Sequence, residues 1–171
     1  DENEEKKVSR GVLNGNVYHS YFSGLTFKKP DDWAFASDEE IARMINIGAE
    51  MLDQSQFEQT MAQLASVYDM MAANQTNTKN VMVVYENLEY SNSTSINESD
   101  YLVAVKNGLD NQTVADYTTD STETVTIGGN TYYKMSLTAD YGGTLVYQSY
   151  TVRKIGKYMT AIICTAGSKE E

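Results

Sequence analysis

The polar and apolar positions of this chain change period several times, and each change predicts an element. Residues Asn16 to Phe22 are dense in aromatic and β-branched side chains, the composition of a strand. Ser23-Gly24 is a tight-turn pair in which glycine supplies a positive φ without a Cβ penalty. Leu25 to Lys28 then alternate apolar and polar, so this stretch is expected to return antiparallel. Pro30 removes a ladder donor and interrupts the sheet, Asp31 and Asp32 complete a turn, and Trp33, Ala34 and Phe35 resume extended structure. Trp33, the sole tryptophan, is expected to anchor the core, because a large aromatic brings the most apolar area.

Helical periodicity begins at Ser37. Ser37 and Glu40 have the spacing of a capping box, and Asp38, Glu39 and Glu40 place negative charge where the helix dipole favours it. Ile41, Met44, Ile45, Gly48, Met51 and Leu52 fall on one helical face, with Gly48 allowing close approach to a sheet. A second capping-box pattern, Ser55 to Glu58, precedes Phe57, Met61 and Leu64, so the helical region is expected to break once, near Asp53 to Ser55. Val67 to Ala73 fits either a helix extension or a strand; the polar turn material of Asn74 to Asn80 favours the strand, paired with Asn80 to Leu88. After a polar loop, Asn97 or Ser99 caps a third helix with Tyr101, Leu102, Val105 and Leu109 on one face.

The rest is sheet. Glu123 to Ile127 alternates, Gly128-Gly129-Asn130 turns, and Tyr133, Met135 and Leu137 point to one side. Asp140 to Gly143 turns again, Leu145 to Arg153 follows, and a turn through Lys154-Ile155-Gly156 leads to Tyr158–Thr165. That last strand is apolar on both faces and is therefore expected to be central and covered. About eight strands and three helices, grouped rather than alternating, give an α+β class: an antiparallel sheet with helices packed on its core-facing side.

Length and charge narrow the functional classes. At 171 residues the chain suits one domain, taken as 11–171, behind a polar tether at 1–10 that begins Asp1-Glu2-Asn3-Glu4-Glu5. At the other end Ser168-Lys169-Glu170-Glu171 repeats a helix-start pattern, so a C-terminal helix is expected to be truncated or the tail frayed. The formal net charge of −11 argues against nucleic acid and against a polybasic membrane patch.

Candidate chemistry is sparse. Cys164 is alone in an apolar strand, so no intrachain disulfide forms and the thiol is expected to be buried filler. His19 is the single histidine, and no Ser or Asp partner is specified for a triad. Zinc sites built from His and Cys are excluded, and Asp116, Asp120 and Glu123 lack the spacing of a calcium loop, so neither a metal nor a cofactor is expected. The thirteen tyrosines offer flat rings with hydroxyls, suited to peptides or sugars as well as to strand packing. Tyr68, Asp69, Tyr85, Glu86 and Asn87, on the paired central strands, are the expected ligand-binding set.

Gly24-Leu25-Thr26-Phe27-Lys28-Lys29-Pro30-Asp31-Asp32-Trp33 resembles the Gly-hydrophobe-x-Phe-x-x-Pro-x-x-Trp opening of the Mog1/PsbP-like fold. With Ser37-Asp38-Glu39-Glu40, Tyr85-Glu86-Asn87-Leu88 and the Ile127-Gly128-Gly129 hairpin, the chain also resembles uncharacterised extracytoplasmic lipoproteins of Gram-positive gut bacteria. The resemblance implies a non-enzymatic scaffold that binds a protein, peptide or glycan at the cell surface, reaching the membrane through an N-terminal lipid anchor. A carbohydrate- or peptide-binding domain with a defined pocket is the second expectation, and a hydrolase with an unrecognised site the third.

Overall fold

The computed structural model describes residues 6–167. Seven strands form one antiparallel sheet in the order β4-β5-β6-β10-β9-β8-β7. Its members are β4 (Ala34–Phe35), β5 (Ser66–Ala73), β6 (Asn80–Asn87), β7 (Asp116–Ile127), β8 (Asn130–Tyr141), β9 (Thr144–Ile155) and β10 (Tyr158–Ala166). A smaller antiparallel sheet, β1 (Val12–Asn14), β2 (Val17–His19) and β3 (Thr26–Lys28), precedes it. The helices are α1 (Asp38–Ile45), α2 (Phe57–Gln63) and α3 (Glu98–Asp110), with a 3-10 turn at Ala49–Leu52.

β10 lies at the middle of the large sheet, paired with β6 on one side and β9 on the other. Its alternate residues feed two cores. Tyr158 faces Tyr18, Phe22, Ile41, Phe57 and Met61, contributed by the small sheet, α1 and α2. Met159 and Ala161 face Leu102 of α3 together with Leu88, Met135 and Leu137. A strand covered on both faces has no polar side to present, which is why its sequence does not alternate. The helices therefore occupy both faces of the sheet, not one core-facing side.

Local chemistry explains where elements stop. Ser37 Oγ accepts from the Glu40 N–H at 3.2 Å and Glu40 Oε1 accepts from the Ser37 N–H at 3.4 Å, the reciprocal cap expected from the spacing. α1 ends earlier than its apolar face implies, because Asn46 adopts the left-handed conformation (φ 59°) that short amide side chains tolerate. The face from Ile41 to Leu52 is thus split into a helix and a 3-10 turn, and Met44 is left exposed. The Ser55 pattern does not cap α2, whose first flanking residue is Gln56 without a side-chain cap.

Three further expectations change. Val8 and Arg10 are buried, so the folded domain starts ahead of Gly11. β7 begins at Asp116, well before the alternating stretch. Trp33 packs only half-buried against the margin of the first core, whose centre is made by Tyr18, Phe22, Phe57, Tyr85 and Tyr132. The tail expected to start a C-terminal helix lies outside the described residues, as do residues 1–5 of the tether.

Ser37→Ala removes the hydroxyl that meets the Glu40 N–H, and thermal or urea unfolding is expected to show a loss of about 1 kcal/mol. Asn46→Gly, by contrast, is expected to leave stability nearly unchanged, because glycine reaches the same φ.

Candidate functional site

Four of the five residues expected to bind ligand enter well-defined contacts, but on two different faces. β5 carries a bulge between Tyr68 and Met70, which turns Asp69 inward. Asp69 is 2% exposed, and Tyr85 and Asn87 are equally enclosed. Asp69 Oδ2 accepts from Tyr18 OH at 2.5 Å and from Tyr85 OH at 3.2 Å, and the Gly11 N–H donates to the same carboxylate at 3.0 Å. Arg10 Nε stands 2.8 Å from Asp69 Oδ1, while its Nη2 donates to the Asp69 carbonyl and its Nη1 to that of Leu52. Ser20 Oγ lies 2.9 Å from Tyr85 OH. A Cβ at Gly11 would sit 2.1 Å from the Tyr18 ring, so only glycine lets the backbone approach this closely.

Burial pushes the Asp69 carboxyl above the ordinary carboxylate range, and the bond from Tyr18, the Arg10 charge and the Gly11 N–H offset part of that effect. Burial also raises the Tyr18 and Tyr85 phenols, reinforced by the adjacent Asp69 charge. These groups are sealed from solvent and join elements of the fold. Asn87 does the same work locally: its Nδ2 donates to the Met61 carbonyl at 2.9 Å.

Tyr68 and Glu86 lie on the opposite face, beside α3. Glu86 Oε2 accepts from Tyr101 OH at 2.5 Å, and Tyr68 adjoins Tyr150. The structure therefore joins Asp69 to Tyr85 and separates both from Tyr68 and Glu86; the five do not form one surface. His19 sits on the small sheet, with Nδ1 2.8 Å from Thr26 Oγ1 and its ring edge-on to Tyr21. Among the described residues no three His, Cys, Asp or Glu side chains converge as a metal site.

Accessible concavity occurs instead where the helices leave the sheet uncovered. One cavity of about 420 Å³ is flanked by Trp33, Tyr147, Lys134, Ser149 and Cys164. Another of about 710 Å³ is floored by Phe35, Met71 and Met82 and rimmed by Asn74, Gln75 and Asn77. Asn80, Gln148 and Thr165 line both. These three form a row across β6, β10 and β9, since Thr165 stands opposite Asn80 on one side and Gln148 on the other. Gln148 Nε2 donates to Thr165 Oγ1 at 3.4 Å, while Asn80 Oδ1 and Gln148 Oε1 are buried and accept no hydrogen bond.

Cys164 is only partly buried here, not enclosed filler. Burial nonetheless pushes its thiol up, against the contrary effects of Ser149 and the Lys134 charge, so it stays a thiol at neutral pH rather than a thiolate nucleophile. The sequence signal for this region is slight. Gln148 is one of several polar residues in β9, Thr165 is one of two threonines in β10, and Asn80 resembles a strand-initiating residue, so none stands out.

The architecture is a Mog1/PsbP-like α+β fold. It is similar to the solution structure of cyanobacterial PsbP from Synechocystis sp. PCC 6803, over 91% of this chain and 83% of that one, with a TM-score of 0.51 and 14% identity. At that identity the likeness shows the fold alone. No protein-family model matches the chain, and no curated protein matches it.

Asp69→Asn removes the buried one of the two carboxylates paired with Arg10, leaving the half-exposed Asp38 at 3.0 Å, and is expected to cost about 3 kcal/mol in denaturant unfolding. Because Tyr18 and Tyr85 keep their protons when folded but ionise near pH 10 when unfolded, stability is fully held below that value. Above it, stability is expected to fall by about 1.4 kcal/mol per pH unit for each of the two phenols, and absorbance titration is expected to show neither ionising before the protein unfolds.

Proposed function

We propose that this protein is a non-enzymatic extracytoplasmic binding or accessory module, held at the cell surface by a lipid anchor upstream of the domain. Its ligand site is the cavity of about 710 Å³ on the sheet face that Asn80, Thr165 and Gln148 share with Met82. The observation that carries this reading is the pair of buried, unpartnered amide oxygens at the wall of this hollow. Unmet acceptors destabilise a fold unless something supplies a donor. Asn and Gln terminate in one soft torsion, so a small turn brings each oxygen to an entering hydroxyl or amide donor. Neither side chain titrates, so the row is equipped to hold a molecule rather than to transfer protons.

Phe35 supplies a flat apolar surface of the kind that stacks on sugars or peptides, which favours a carbohydrate or short peptide as the occupant. Placement outside the cytoplasm rests on the resemblance of the Pro30-x-x-Trp33 string and the later motifs to surface lipoproteins.

Thermal unfolding against a panel of neutral mono- and disaccharides and short peptides tests the site. A ligand at about 100 times its Kd adds about 2.7 kcal/mol, a Tm rise of several degrees. The rise is expected in the wild-type protein and lost in Asn80→Leu/Gln148→Leu. An equal rise in that variant, or none in the wild type, rejects the cavity as the site. Membrane anchoring is checked separately by labelling the cellular protein with a palmitate analogue, and a soluble cytoplasmic protein would rule it out.

A further inference from the structure

The two edges of the large sheet differ in kind. β4 is two residues long, whereas β7 is twelve, a row of about 40 Å. Among the described residues no strand pairs with the outer side of β7. Every residue from 118 to 124 is exposed. An unpaired edge of this length is a template for another chain unless something blocks it. The obstacles here are a bulge between Thr119 and Ser121 and the carboxylates of Asp116, Asp120 and Glu123. Asp140 stands opposite Asp116 and adds to the acidic end, while Lys134 stands opposite Glu123.

On one face of this edge, α3 leaves a cavity of about 460 Å³. Leu102, Val103, Tyr133 and Met135 give it an apolar lining, and Thr122 and Thr124 of β7 form its near wall. Val103 is 59% exposed, a large cost for a branched apolar residue with nothing over it. Lys106 at the rim is already paired with Asp110 at 2.8 Å.

We propose that β7 and the hollow beneath α3 form a docking site for an extended, basic segment of another protein, added to the sheet as a further antiparallel or parallel strand. In strand addition the main chain supplies affinity and alternate side chains supply selectivity. Apolar residues of the incoming segment enter the hollow beside Val103 and Leu102. Its intervening Lys or Arg side chains meet Asp116, Asp120 and Glu123. A second copy of this chain is a poor occupant, because pairing two β7 edges brings together carboxylate-bearing strands of molecules that each carry a net charge of −11. The inference is independent of the 710 Å³ cavity beside Asn80 and Gln148, which no β7 or α3 residue lines, so either site stands if the other fails.

The test uses a fluorescent alternating Lys-Val octapeptide, the same peptide with alternate backbone amides N-methylated, and an alternating Glu-Val peptide. Expected are binding of the first with amide-shift changes confined to β7 and α3, at least about tenfold weaker binding of the second, and none of the third. Asp116→Lys/Glu123→Lys is expected to invert the preference between Lys-Val and Glu-Val. Val103→Glu is expected to weaken Lys-Val binding although it adds a negative charge, which separates docking from bulk attraction. No Lys-Val binding, equal binding of the N-methylated peptide, indifference to the charge reversal, or self-association through β7 in sedimentation would each overturn the proposal.

Discussion

The Asp69 carboxylate is approached from Gly11 ahead of the small sheet, Tyr18 within it, Tyr85 on β6 and the guanidinium of Arg10, which reaches on to the Leu52 carbonyl and to Asp38. Few other points in the molecule touch so many elements at once. A buried ion pair adds little net stability, since desolvation consumes much of the attraction. Its effect is on uniqueness. Only one placement of the N-terminal segment against β5 supplies every donor, and any displaced arrangement leaves a charge or a phenol unpaired in the interior. The bulge at Asp69 and the absence of a side chain at Gly11 are the two backbone conditions for that placement.

With the N-terminal segment fixed, the distribution of covered and open surface follows. α1, α2 and the small sheet cover one end of one sheet face, and α3 covers part of the other. What they do not reach is the end of β6, β10 and β9 bearing Asn80, Thr165 and Gln148, and the outer side of β7. Both open regions are floored by paired strands, so the ladder sets the geometry of their floors, while the β5–β6 turn at Asn74, Gln75 and Asn77 rims one of them.

Much of the architecture was legible in the sequence because its signals were local. The cap at Ser37, the turns at Gly24 and Gly128-Gly129, the face of α3 and the two-sided apolar run of β10 each depend on neighbours in the chain. Failures arose where distant groups decided the outcome. Arg10 sits in a polar stretch and looks solvated, yet the groups that hold it lie far along the chain, on Asp38, Leu52 and Asp69. Asp69 and Tyr85 meet in a buried hydrogen bond, but alternation alone does not show that a bulge turns the carboxylate into the core. β7 was under-read because Asp116 to Thr122 is polar on both sides, as a bare edge must be. The amide row went unnoticed since its members meet only after three strands pair.

The last four strands succeed one another through reversals that place Gly128, Gly129, Gly142, Gly143 and Gly156 at positive φ. Each such reversal closes a very short loop, whereas joining β10 to β6 encloses about 70 residues and forfeits far more chain entropy. The carboxyl-terminal meander can thus zip up by successive nearest-neighbour steps, and so can the β5–β6 hairpin, whereas joining the two waits for the long-range closure. The Arg10 latch, which spans 42 and 59 residues to its carbonyl partners, belongs with the late closures.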